Sequence, residues 1–308
     1  PALAELADPL AVFSETGVAL SLEGMRSAVG DRLKPALGAL KEGAVSHQDA
    51  QSTEWAAPAM IDDLLGARSR AWLEAPHGMR ALASEDAFHD HIAELAAAVR
   101  TRHIGASSDD LSDLLVDVAL GSPAVCALRA LKRIAPELAW DDPRLLSAAA
   151  EVAWSFRALF NQHDAVALLR RDTDDHYWRR VLAYCAQHNL QAVLDEYAHY
   201  LVDAEGLGAR PAEDRAIGVA RAMAQALAIR PSQIDVDDVQ VDGESLAISK
   251  FQMRGRFAMR LADYKDEDGA IARLGGVRDA FNSPFRPFVL ATTSVGQEGL
   301  DFHPYCYR

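Results

Sequence analysis

FRPFVLATTSVGQEGLDFHPYCY, residues 285–307, is the stretch on which the reading of this chain turns. It opens with a short apolar run, Phe288, Val289, Leu290 and Ala291, and passes into three hydroxyls, Thr292, Thr293 and Ser294. Gly296 and Gly299 follow, then Asp301. An apolar run of this length ending in polar, glycine-bearing residues predicts a buried parallel strand with a loop at its carboxyl end. In open α/β sheets that end of a strand is where ligands bind. Glycine allows backbone to approach a phosphate, and hydroxyls supply donors without bulk.

Working backward, the segment 271–281 reads as a helix stopped by Asn282-Ser283-Pro284, because a residue before proline is pushed out of the helical region. Asp263 to Asp268 is a charged loop, and Met253 to Leu261 a strand with arginines among its apolar residues. Before it, Ile234, Val236, Val239, Val241, Leu246 and Ile248 are spaced among acids around Asp242-Gly243, a strong hairpin-turn pair. Residues 232–308 therefore read as β-β-β-α-β.

Residues 1 to about 230 read as helix nearly throughout, rich in alanine and leucine. Ser122-Pro123 opens a helix over Ala124 to Ile134 with a capping hydroxyl and a proline at its first position. Asp141-Asp142-Pro143 opens Arg144 to Phe160, and Arg210-Pro211 a helix running to about Leu227. Leu190, Val193, Leu194, Tyr197 and Leu201 recur at helical spacing and predict one buried stripe. Breaks fall near Gly78, Gly105 and Gly206, Gly43 to Glu54 is polar enough for a loop, and no fixed repeat is evident. The expectation is a packed helical array, looser over its first hundred residues.

The run Thr292-Thr293-Ser294-Val295-Gly296-Gln297-Glu298-Gly299-Leu300-Asp301-Phe302 resembles motif V of superfamily 2 helicases and translocases. It fits the Swi/Snf-like and RapA-like branch without a gap, and the DEAD-box form only with one residue removed. The resemblance extends over about Arg254 to His303, and Gly121 to Tyr200 is similar to the helical insertion of large bacterial helicase-like proteins. It implies a fold that is mostly α with a C-terminal α/β part: a helical accessory or insertion domain, residues 1–231, followed by an incomplete second RecA-like lobe, residues 232–308. It implies nucleic-acid contacts at Thr292 and Thr293, and a nucleotide-cleft side at Gly296, Gln297, Glu298, Gly299 and Asp301. It implies ATP and Mg as cofactors of the complete parent, and DNA or RNA as its partner, with the first RecA-like lobe lying elsewhere. An ordinary strand and turn of some other α/β domain is the alternative.

Arg254 and Arg256 share one face of the expected strand and meet either a phosphate backbone or solvent. Arg170, Arg171, Arg179 and Arg180 flank Tyr177 and Trp178. Charge plus stacking is one reading of that segment. Surface ion pairs with Asp172, Asp174 and Asp175, and a core tryptophan, are the commoner one.

Several chemistries lack their sequence signature. There is no Gly-x4-Gly-Lys-Ser/Thr to cradle β- and γ-phosphates, so no ATP hydrolysis is expected from these residues alone. Leu194-Asp195-Glu196-Tyr197-Ala198-His199 is one residue too long for an Asp-Glu-x-His box and sits on an amphipathic helix. Tyr197 reads as core and Glu196 as solvated. His89 and His91 are two apart and diverge on a helix, while His47, His77, His103 and His176 have no partner at ligand spacing, so no metal is expected. No Gly-x-Ser-x-Gly elbow supports a hydrolase triad.

The chain has 308 residues and a formal net charge of −14, against the basic footprint of a freestanding nucleic-acid module. Cys126, Cys185 and Cys306 are dispersed and read as reduced thiols. No apolar run approaches a membrane span. The expectations are a cytoplasmic location, no membrane partner, and a piece of a longer protein, since the sequence starts without methionine and stops just after the motif. A helical protein-interaction or regulatory module without catalysis is the second functional reading.

Overall fold

The computed structural model describes residues 1–43, 54–66, 68–74, 86–102, 108–170, 176–228, 232–242, 245–255 and 279–285. The chain is mostly helical and divides into two compact units, Pro1–Ala224 and Gln225–Arg308.

In the first unit the helices are α1 (Ala2–Leu6), α2 (Pro9–Thr16), α3 (Leu22–Gly43), α4 (Ala57–Leu64), α5 (Arg70–Glu74), α6 (Asp86–Thr101) and α7 (Ser108–Gly121). They continue as α8 (Pro123–Ile134), α9 (Pro143–Phe160), α10 (His163–Leu169), α11 (Tyr177–Gln187), α12 (Leu190–Ala204) and α13 (Ala212–Leu227), whose last three residues fall in the second unit. Proline at the first turn starts α2, α8 and α9, where its missing N–H costs no intrahelical bond. Asp8 and Asp142 cap α2 and α9 by accepting from the N–H groups of Leu10 and Arg144. Ser122 precedes α8 as expected, yet its hydroxyl makes no capping bond. Gly206, in the left-handed region at φ 61°, lies just beyond the end of α12.

α8 packs on α9 and α12, and α7 on α3 and α11, so α7 and α8 form the centre of the unit. Leu114, Leu115, Ala119, Cys126, Ala127 and Leu131 are buried there. The stripe expected on α12 is present: Leu190, Leu194, Tyr197 and Leu201 are buried and Val193 is half-buried. The looser amino-terminal part expected from sequence is not found among the described residues. Leu3, Val12, Val29, Leu33, Leu40, Met60 and Ile61 belong to one continuous core with α7. Burial in that shared core holds these helices in place in addition to their local caps.

α7 meets α11 at unusual proximity. A β-carbon placed on Gly121 would stand 2.1 Å from the Leu182 carbonyl oxygen, so only glycine lets the two backbones touch. No single described helix is long and apolar enough to cross a membrane. α7 and α8 together pass on length and composition, but they bend by 44° between them.

In the second unit, β1 (Ser232–Asp242) pairs antiparallel with β2 (Ser245–Gly255) in an unbroken register from Ser232↔Gly255 to Asp242↔Ser245. The ladder runs to Asp242↔Ser245, and Gly243 of the expected turn pair lies outside the described residues. Met253 to Gly255, read from sequence as the start of a third strand, complete β2 instead. They pair with Ser232 to Ile234. Ile234 pairs with Met253, Val236 with Phe251, Val239 with Ile248 and Val241 with Leu246. Residues 279–281 are helical and end at Asn282 in a turn, where the Ser283 hydroxyl donates to the Ala280 carbonyl at 2.6 Å, as the Asn-Ser-Pro stop implies.

Candidate functional site

The residues singled out by the C-terminal run, Thr292, Thr293, Gly296, Gln297, Glu298, Gly299 and Asp301, lie outside the described residues, as does Arg256. Arg254 is placed on β2 opposite Gln233. The polar sites that the described residues build are elsewhere, in the helical unit.

The more deeply buried of these centres on Arg129, in the middle of α8 and wholly buried. Its Nε donates to the Ala4 carbonyl at 2.8 Å, Nη1 to Ala119 at 2.6 Å and Nη2 to Ala7 at 2.7 Å. Longer bonds of 3.4 Å reach the Gln191 side-chain oxygen and the Leu3 carbonyl. A guanidinium has five N–H groups, and here five acceptors meet them. The short-bonded acceptors, Ala4, Ala7 and Ala119, stand at the carboxyl ends of α1 and α7, where helix carbonyls lack intrahelical partners and the helix dipole favours a cation. Burial nonetheless pulls the Arg129 guanidinium down to about 10.

Carboxylates lie one layer out. Gln191 Nε2 donates to the Cys126 carbonyl at 3.2 Å and to Asp195 at 2.9 Å. Arg133, one turn after Arg129, pairs with Asp195 and donates to Asp8 at 2.6 Å. Burial pushes the Asp195 carboxyl up, opposed by the nearby Arg133. The Cys126 thiol, buried beside this network and donating to the Leu120 carbonyl, is pushed up to about 12 by burial. This is a clamp joining α1, α2, α7, α8 and α12. With its donors all engaged, Arg129 has none left for a phosphate or carboxylate ligand.

A second node is built on consecutive acids of α4. Asp62 accepts from the backbone N–H of Ala2 at 2.8 Å and of Ser69 at 2.7 Å. Asp63 accepts from Arg70 Nε at 2.9 Å and Arg102 Nη2 at 3.1 Å. It too is structural, tying four segments together.

In the arginine–aromatic segment Arg179 pairs with Glu54 at 2.8 Å. Arg171, Asp172, Asp174 and Asp175 lie outside the described residues, and with them the expected ion pairs. Arg170 stands over the Tyr177 ring and Arg180 donates to the Leu169 carbonyl at 2.6 Å. Trp178 is half-buried against the core. On α12, Asp195 belongs to the clamp, Tyr197 is buried and Glu196 exposed, as the sequence reading holds. His91 stacks on Trp55 at 5.2 Å, and His89 lies edge-on to Phe88. Among the described residues, no group of three or more His, Cys, Asp and Glu is placed to hold a metal ion.

The sequence reading missed Arg129. With Lys132 and Arg133 at i+3 and i+4, Arg129 reads in sequence as the polar face of α8, and only its distant carbonyl partners reveal its burial. Comparison with family models, curated proteins and solved structures gives no match for this chain.

Proposed function

We propose that the chain is part of an ATP-dependent nucleic-acid helicase or translocase of superfamily 2, with an accessory helical domain followed by the beginning of a second RecA-like lobe. The run Thr292 to Phe302 carries this reading, because the hydroxyl pair, both glycines and the acid stand in register behind an apolar run. In this reading Thr292 and Thr293 grip the sugar–phosphate backbone. Gly296, Gln297, Glu298, Gly299 and Asp301 face the nucleotide cleft, and the loop couples nucleotide state to grip as the lobes close. The phosphate loop and the acidic box belong to the other lobe of the parent, and ATP with Mg binds between the two.

The experiment is to sequence the coding region around this segment and assay the complete protein. A phosphate loop and Asp-Glu-x-His box on one side, an arginine motif on the other, and ATPase activity stimulated by DNA or RNA are expected. An unrelated continuation overturns the proposal. It leaves the second reading, a helical interaction module, which is favoured by the exposed apolar residues of the amino-terminal helices.

A further inference from the structure

Seven large apolar residues stand exposed among the described residues, and five of them, Leu6, Leu10, Phe13, Val18 and Leu22, fall in one short stretch. The stretch is otherwise well anchored: Leu3, Ala4, Ala7 and Val12 are buried beneath it. α2 is thus apolar on its outer side as well as its inner side. Leu10 and Phe13, three apart, share its outer face at 53% and 46% exposure. A helix that is apolar on both sides has one side awaiting cover, and concentrated exposed apolar residues mark interaction surfaces.

The charges around it specify the cover. Residues 1–25 contain Glu5, Asp8, Glu15 and Glu23 and no Lys, Arg or His. Glu15 is 71% exposed while its partner Arg32 is 22% exposed, and Glu5 is 48% exposed over Arg68 at 26%. The cations lie deeper and the carboxylates face solvent. A second copy of this chain would bring two acidic rims together, on molecules that each carry −14. An anionic membrane is disfavoured for the same reason.

We propose that the exposed apolar residues of this stretch, centred on the Leu10–Phe13 face of α2, dock a basic amphipathic helix of a protein partner. Leucine-like side chains would lie on the apolar residues, and flanking Lys or Arg would meet Glu5, Glu15 and Glu23. This surface is independent of the C-terminal run, so it stands whether or not the parent is a helicase.

The test uses the full 308-residue chain and two synthetic 18-residue helical peptides with the same leucine face, one flanked by lysines and one by glutamates. The lysine peptide is expected to bind by fluorescence anisotropy and to slow amide exchange in residues 6–22. Binding should fall at least tenfold in a Leu10→Ser/Phe13→Ser variant and in Glu15→Lys. Unchanged circular dichroism of both variants is the control, and if the double variant unfolds, Glu15→Lys and the peptide pair decide. Equal binding of the two peptides, indifference to Glu15→Lys, binding to anionic vesicles in preference to the peptide, or concentration-dependent self-association abolished by the serine variant would each overturn the proposal.

Discussion

Gly121 lies directly against Leu182: the space where a side chain would begin is occupied by the Leu182 carbonyl oxygen. That oxygen is backbone of α11, so it cannot swing aside like a flexible side chain. Gly121→Ala is expected to force α7 and α11 apart and destabilise the helical unit by about 1–3 kcal/mol, as overpacking does. Urea unfolding followed by circular dichroism measures it. An unchanged midpoint would mean that the two helices separate without cost.

Arg129→Met keeps bulk in α8 but removes five donors. The carbonyls of Ala4, Ala7 and Ala119 then lose their short bonds in a buried setting, at about 1–3 kcal/mol for each group left unsatisfied. A loss of at least about 3 kcal/mol in chemical denaturation is expected. Arg129→Lys, with one nitrogen in place of three, should lie between the variant and the parent. A parent-like Arg129→Met would show that the clamp is dispensable.

Burial raises the Glu151 carboxyl above its ordinary value, with Arg221 opposing. The folded protein therefore holds this proton more tightly than the unfolded chain. The side chain's contribution is largest below the unfolded value near 4.5 and declines as pH rises through the folded one. Glu151→Gln does not titrate. Its melting temperature relative to the parent is expected to rise from pH 4.5 upward and then level off. A difference that stays constant with pH would contradict this.

The Cys126 and Cys185 thiols are buried and both pushed up to about 12 by burial, so they are almost wholly protonated near neutral pH. In a Cys306→Ser background, an aromatic disulfide reagent should find no rapidly reacting thiol in the native protein and two in urea. Rapid native labelling would show that this core opens readily.

Under the proposed helicase function, Thr293→Ala and Asp301→Ala in the complete protein are expected to reduce nucleic acid-stimulated ATP hydrolysis at least tenfold, while the unstimulated rate of Thr293→Ala changes little. Undiminished stimulation in both variants removes the proposed roles of these residues.

Much of the helical unit was legible because proline and its capping neighbours punctuate it. Pro123, Pro143 and Pro211 mark the starts of α8, α9 and α13 to within a residue. The hairpin was legible from its alternating apolar residues, although the true length of β2 was not. What could not be read locally was anything set by distant partners. The compactness of α1 to α4 comes from contact with α7, and Arg129 is buried because carbonyls about 120 positions earlier receive it. Of the candidate nucleic-acid and nucleotide residues, the structure places Arg254 alone, opposite Gln233. The reading of the others rests on the order of side chains from Thr292 to Asp301.

The reach of Arg129 has a consequence during synthesis. Leu3, Ala4 and Ala7 leave the ribosome long before the arginine that will receive them, and Gln191 follows later still. The earliest-made helices must therefore wait for the middle of the chain before they can lock. Non-local closure of this kind slows folding and leaves nascent apolar segments uncovered, so dependence on chaperones should be greatest while residues 1–190 are emerging.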